Sequence, residues 1–293
     1  MKLVTFAHKD TQKIGAVAGD VVHDFSGLNL PRTMLDFIAL GNEGLKSAQE
    51  IIDNGGSSIN LDDVKLEAPI KKPDKILGVG LNYNAHRKEV EELAKGKIGG
   101  QPQSSHPTIF NKQNSSVTGP YDEIHLPKVS PALDYEGELG FVIGKKCRHV
   151  SYDEASSVIY GYTIVNDVSV RDWQFRGPPM TMTMGKSNDT HCPFGPYIVT
   201  SDEVGDPHKL KLETHVNEEL RQSSNTDDLI FNCFKIVEYV STAFTLEPGD
   251  LIATGTPAGS AVISQNWLKT GDEVKIKIEK LGFINNKVID EPE

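Results

Sequence analysis

Two glutamates separated by one glycine are the residues most suited to chemistry in this chain. The stretch Asp134-Tyr135-Glu136-Gly137-Glu138-Leu139-Gly140-Phe141-Val142-Ile143-Gly144 reads as a strand, in which successive side chains point to opposite faces. Glu136 and Glu138 then share one face, while Leu139, Phe141 and Ile143 share the other and can pack on a core. Two carboxylates this close do not both stay ionised without a partner. Either one keeps its proton or a cation sits between them, and a hard divalent ion with oxygen ligands is the natural choice. A half-solvated acidic edge strand would carry the same pair. Asp167 tips the reading toward a metal, because it closes the β-branched and aromatic run Gly161 to Asn166, a poor place for a core residue and a good one for a ligand. Glu136, Glu138 and Asp167, completed by waters, make a magnesium-type site.

A base and several donors accompany these acids. Leu81 to Ala94 is a charged helical stretch in which His86 and Glu89 stand three residues apart, neighbours on one helix face. A carboxylate that orients an imidazole is the usual arrangement of a general base; a surface histidine beside an incidental glutamate is the alternative. The glycine-, serine- and proline-rich run up to His106 follows, and helix plus loop (residues 82–106) suit a mobile lid. Arg171, Gln174 and Lys186 lie just downstream of Asp167, placed to face the same cavity as hydrogen-bond donors. Thr254-Gly255-Thr256-Pro257-Ala258-Gly259 is a glycine-rich turn able to aim backbone N–H groups at an anion. It lacks the Gly-Lys-Ser/Thr ending of a nucleotide loop, and Gly78-x-Gly80 has Tyr83 at the third glycine position of a dinucleotide fingerprint, so neither nucleotide reading stands. His191-Cys192 looks like a base and nucleophile, but sequence neighbours rarely have the geometry for that role. His149, His191 and His208 read as surface or loop residues.

These residues need a scaffold. At 293 residues the chain can bury a sizeable core. Residues 1–66 read as a small α+β unit: Lys2 to Phe6 and Ile14 to Val17 pair, Val21 to Asp24 adds a strand, and Thr33 to Leu40 and Glu43 to Ile52 form helices. A polar, proline-bearing join leads to a second, β-rich unit over 69–293. There Thr226 is expected to cap a helix with Leu229, Ile230, Cys233, Ile236, Val237 and Val240 on one face. Val274, Ile276 and Ile278 alternate with charged neighbours as a half-buried strand. A net charge of −11 argues against nucleic acid and anionic membranes as partners, and no apolar run is long enough to span a bilayer. Three scattered cysteines read as reduced thiols, and Met1 to Phe6 lacks the apolar core of a signal peptide. Together they point to the cytoplasm.

Taken in order, these stretches resemble the fumarylacetoacetate hydrolase family: Gly78 to Tyr83 with His86 and Glu89, Asp134 to Leu139, Gly161 to Ser169, Arg171-Asp172-Trp173-Gln174, Gly185-Lys186-Ser187, and Leu246 to Gly259. The resemblance implies a β-rich α+β fold, with a small N-terminal domain ahead of a mixed β-sandwich roll, usually in a homodimer. It implies Mg2+ (alternatively Mn2+ or Ca2+) held by Glu136, Glu138 and Asp167. It also implies catalytic roles for His86, Glu89 and Lys186, and substrate contacts from Tyr83, Arg171, Gln174 and Thr256. The implied substrate is a small 2-oxo acid. The first expectation is hydrolysis of a C–C bond in an acylpyruvate-type 2,4-dioxo acid through a metal-stabilised pyruvate enolate, His86 and Glu89 activating water. Oxaloacetate decarboxylation or 2-hydroxy-diene-dioate isomerisation on the same site is the alternative, and a non-catalytic metal-binding protein comes after both.

Overall fold

The acidic strand lies in the middle of a sheet, with no edge toward water. Gly137–Ile143 pairs antiparallel with Ile159–Asn166 on one side and with Leu251–Ala253 on the other, and every residue in it is buried. The structure, a computed structural model, describes residues 1–26, 29–94 and 104–293; the part of the expected lid at 95–103 falls outside the described residues. Strand Leu251–Ala253 continues into Ile76–Gly80 by parallel pairing, and Ile76–Gly80 into Thr108–Asn111 by antiparallel pairing, so the sheet is mixed. On the far side, Ile159–Asn166 pairs with Cys192–Thr200, and that strand pairs with Lys2–His8. The N-terminal hairpin Lys2–His8 and Thr11–Ala18 therefore extends the same sheet as the acidic strand, despite the proline-bearing join between them.

A second sheet of five strands, including Lys211–Val216, Glu273–Ile278 and Gly282–Asp290, faces the first. Leu139, Phe141 and Ile143 from the acidic strand share one apolar cluster with Leu212, Ile276 and Ile284 from the second sheet and with Ile236, Val237 and Val240 from helix Cys233–Ala243. Burying side chains of this size is worth about 1.5–3 kcal/mol each. The opposite face of the main sheet, with Val142, Val165, Phe194 and Leu251, packs on Phe37, Ile38 and Ala48 of the two N-terminal helices. Both faces of the acidic strand are thus covered, which explains why its polar side also reads as buried. The result is a β-rich α+β fold. Among the described residues, no helix is long and apolar enough to cross a membrane.

Two local expectations change. Helix Cys233–Ala243 is capped by Asn232, whose side chain accepts from the Lys235 N–H, whereas Thr226 opens a separate single turn. Leu229 to Phe231 are drawn out of the helix because the Ile230 and Phe231 N–H groups donate to the backbone and side-chain oxygens of Asn82. His191 lies in a loop as expected but is fully buried, and His208, in a turn, accepts at Nε2 from the Cys233 N–H at the start of that helix.

Candidate active site

The three predicted metal ligands converge. Glu136, Glu138 and Asp167 each offer one oxygen, all within 4.8 Å of one another, and all three residues are buried. The local backbone differs from a single continuous strand: Leu133–Asp134 pairs with Ser169–Val170, the regular ladder resumes at Gly137, and Tyr135 and Glu136 lie in the break. Asn166 causes and holds that break. Its side-chain oxygen accepts from the Glu136 N–H (3.1 Å), and the Glu136 carbonyl accepts from the Asp167 N–H (2.9 Å). Two ligands from different strands are thereby hydrogen-bonded backbone to backbone. Gly137 is required where the second sheet packs against this break, since a Cβ there would lie 2.3 Å from Thr214 Oγ1.

Cations surround the acids. Lys186 Nζ donates to Glu136 Oε2 (2.7 Å), Asp167 Oδ2 (2.6 Å) and Ser169 Oγ (2.8 Å). The Arg171 guanidinium bonds Glu136 Oε1, Asp134 Oδ2 (2.7 Å) and Gln174 Oε1 (2.7 Å). Arg171 and Gln174 thus reach the cluster, but here Arg171 spends its donors on protein. Asp134 anchors this strut: its carboxylate also accepts from the N–H groups of Tyr135 (2.8 Å), Ala261 (2.6 Å) and Val262 (3.0 Å). Burial would push the Glu136 carboxyl up, yet Arg171 and Lys186 outweigh it and hold the group well below its ordinary value. Burial also works to lower Lys186, and Asp167 and Glu136 overcome it to leave the ammonium raised.

Glu138 is the exception. Among the described residues it has no ion-pair partner; its Oε2 accepts only the Gly255 N–H, at 2.7 Å. Burial, reinforced by the neighbouring Asp167 and Glu136 charges, pushes its carboxyl well above the usual carboxylate range. A buried carboxyl that burial and neighbouring anions hold back from ionising, in an all-oxygen donor set, is what a hard divalent cation relieves. Glu136, Glu138 and Asp167 therefore fit Mg2+ or Mn2+, both of which favour such ligands.

The glycine turn joins this cluster to the lid helix, Asn84–Ala94. Gly255, at φ +97°, turns its N–H to Glu138; a Cβ there would sit 2.8 Å from both Asn82 Cβ and Val79 O. Thr256 Oγ1 donates to the Gly137 carbonyl (3.0 Å) and accepts from Gln222 Nε2 (2.8 Å). The Gly259 N–H donates to Glu89 Oε2 (3.2 Å), which lies 3.3 Å from His86 Nδ1. With Nδ1–H directed at the carboxylate, Nε2 is left to exchange a proton. Tyr83 is enclosed at the base of the helix, bridging to Leu229, and its hydroxyl has no protein partner among the described residues. The His191-Cys192 pair is inert: burial pushes the thiol up to about 12 and the imidazole down to about 3. Two surface hollows, one lined by Asp24, Glu50 and Ser57 and one by His125, Met184 and Glu291, include none of the three carboxylates.

Sequence reasoning passed over Lys112, Asp134 and Gln222. Lys112 directly follows strand Thr108–Asn111 as Asp167 follows Ile159–Asn166, but half of the shorter strand is polar, so the signal was weaker for the lysine. Asp134 and Gln222 act through contacts with chain 127 and 85 positions away, and carry no local signature.

A β-rich fold with three convergent buried carboxylates that could hold a metal ion, a buried lysine and a histidine–glutamate pair defines a class of enzyme, and comparison with known proteins agrees. Residues 75–289 match the fumarylacetoacetate (FAA) hydrolase C-terminal family. The chain is 39% identical to the mitochondrial oxaloacetate tautomerase Fahd2a of Rattus norvegicus over 298 residues, covering 99% of this chain and 92% of that protein. It is 42% identical to the human mitochondrial oxaloacetate tautomerase FAHD2A over 262 residues, covering 89% and 81% respectively. Maleylpyruvate hydrolase from Sphingobium sp. SYK-6, solved with manganese(II) and pyruvate, superposes with a TM-score of 0.81 at 33% identity over the whole of both chains. A 2-hydroxyhepta-2,4-diene-1,7-dioate isomerase from Mycobacterium marinum does so at 0.77 and 33%, again over the whole of both. The chain belongs to the fumarylacetoacetate hydrolase family, and it is an enzyme.

Proposed function

We propose that the protein interconverts the enol and keto forms of oxaloacetate, or of a closely similar 2-oxo dicarboxylic acid, at the Glu136–Glu138–Asp167 centre. The observation that carries this reading is the uncompensated Glu138 carboxyl beside a Lys186 ammonium, a few hydrogen bonds from a single histidine–carboxylate pair. A divalent metal, Mg2+ or Mn2+, would be held by the three carboxylates and would act as a Lewis acid toward the substrate's carboxylate and 2-oxo oxygens. His86, oriented by Glu89, takes a proton from C3 and the electron pair moves to the 2-oxo oxygen. The imidazolium then delivers that proton to the oxygen, which gives the enol; the reverse sequence takes the enol O–H proton and returns it to C3, restoring the ketone. Lys186 gives all three of its donors to Glu136, Asp167 and Ser169, and turns one toward that oxygen as charge develops on it. Such a proton shift needs one base and no added water.

The relatives named for this reaction are 39–42% identical along most of the chain, which reverses the order expected from the sequence, where hydrolysis came first. Hydrolysis of an acylpyruvate-type acid is the second reading, supported by the likeness to the maleylpyruvate hydrolase. It would use the same dyad to activate water. We take the working unit to be a homodimer with no nucleic-acid or membrane partner. Three free cysteines fit the cytoplasm and the mitochondrial matrix alike, and the tautomerase relatives are named as mitochondrial.

Ultraviolet decay of enol oxaloacetate, followed with Mg2+ or Mn2+ present, tests the first reading. Acceleration over buffer without pyruvate release is expected. Decay at the buffer rate, with stoichiometric pyruvate from acetylpyruvate or maleylpyruvate, would replace it with the second. Pyruvate from oxaloacetate would indicate decarboxylation.

A further inference from the structure

Each of the three carboxylates has one oxygen held by a fixed protein donor. Arg171 holds Glu136 Oε1, the Gly255 N–H holds Glu138 Oε2, and Lys112 Nζ holds Asp167 Oδ1 at 2.5 Å. The opposite oxygens of Glu136 and Asp167 face one another, since a single Lys186 ammonium touches both. Lys112 is unlike Lys186. Its side chain is wholly enclosed, and besides Asp167 it donates to the carbonyl oxygens of Lys186 and Val168. An ammonium has three donors. Both lysines spend all three on protein, but Lys112 gives two of its three to backbone carbonyls, and one of these fixes the backbone of the residue that carries the other ammonium.

A carboxylate whose one oxygen is pinned by an enclosed donor is turned to offer a cation chiefly the other, because the pinned oxygen is directed toward its donor and can turn toward the centre only by weakening that bond. Calcium accepts two-oxygen carboxylates and six to eight ligands, whereas magnesium demands a near-octahedral set at short distances. Building on the reading of Glu136, Glu138 and Asp167 as a divalent-metal centre, we propose that Lys112 is a positioning residue that reserves Asp167 for ligation through one oxygen. With Arg171 and Gly255, it sets the centre's preference for small six-coordinate ions over calcium. Removing it frees Asp167 Oδ1 to turn inward.

Direct metal binding tests this without recourse to turnover. The wild type and Lys112→Met, stripped with chelator, are titrated with Mn2+ by electron paramagnetic resonance, and Mg2+ and Ca2+ are measured by competition. In Lys112→Met the Mg2+ and Mn2+ affinities should fall by about 10–100-fold, the usual cost of losing a group that orients a metal ligand. Ca2+ affinity should fall less or rise, shifting the Ca2+/Mg2+ ratio toward calcium. Equal losses for all three ions would make Lys112 merely structural and overturn the proposal, as would unchanged affinities. Should Lys112→Met not fold, infrared carboxylate bands of the wild type decide: one-oxygen ligation by every carboxylate with Mg2+ supports the proposal, and a two-oxygen carboxylate overturns it. A wild type that binds no divalent ion would instead sink the metal-centre reading itself, before the variant is compared.

Discussion

The carboxylate cluster and the lid helix solve opposite problems with the same kinds of bond. Around the cluster, donors from four segments hold the acids, namely Lys112, Arg171, Lys186 and the glycine turn, and the Asn166 amide oxygen accepts from the Glu136 N–H. Among the described residues, helix Asn84–Ala94 is tied down at few points. Asp228 accepts from the Ala85 N–H (3.0 Å) and the Asn84 side chain (2.9 Å) at one end, and Glu89 accepts from the Gly259 N–H farther along. Its other ion pair, Arg87 with Glu91, is internal to the helix. Buried charges cost several kcal/mol each to desolvate, so the cluster is weak as a source of stability. Its rigidity instead pre-positions ligands. On the proposed reading, the dyad rides on an element that few bonds hold among the described residues, as a group that must admit substrate and then meet it requires. On that reading, metal grip and proton transfer should be separable.

The sharpest way to break that separation is a pair of variants. Glu138→Gln removes the one ligand that has no cation partner, so no lysine or arginine is left unpaired. Divalent affinity and activity should both fall at least about a hundredfold, while the metal-free protein melts no lower than wild type by calorimetry. His86→Ala should cut turnover by about 10²–10⁴-fold, the usual worth of a general base, with Mn2+ affinity unchanged by titration. Weakened metal binding in His86→Ala would show that grip and base are one unit.

A smaller effect probes the rigid side alone. His191 is buried near Lys112; burial chiefly, with the Lys112 charge adding to it, takes its imidazole from the ordinary 6.5 down to about 3. Between those values the unfolded chain binds a proton that the folded chain does not, so stability falls as pH drops through that window. In His191→Gln the urea midpoint should change less between about pH 7 and about pH 4 than in wild type. An unaltered slope would remove His191 from the acid response. The smallest effect concerns the lid. Asp228→Ala removes the acceptor at the helix start, worth about 1 kcal/mol. Amide exchange should quicken across 84–94 with the global melting temperature unmoved; protection equal to wild type would mean that the helix is as firmly set as the cluster.

Much of this was legible in the residues. Period-2 alternation placed Leu139, Phe141 and Ile143 on a core and the glutamates opposite them, and the acid closing an apolar strand marked Asp167. The Lys2 and Thr11 strands and the helix capped by Thr33 form as their local patterns require. The local signals that misled were those that tertiary bonds override. Asn82 unwinds Leu229 to Phe231 and moves the helix start to Asn232, and Asn166 breaks the acidic strand at Glu136.

Side-chain type and spacing along the chain settled which residues bear charge, which faces are apolar and which family the pattern belongs to, because those depend on neighbours a few positions apart. Long-range packing alone decided the partners. It put Lys112 behind Asp167, Arg171 between Asp134 and Glu136, and a glycine N–H on an otherwise uncompensated Glu138. Such pairings join residues tens of positions apart, and only the folded backbone brings them within a hydrogen bond's length.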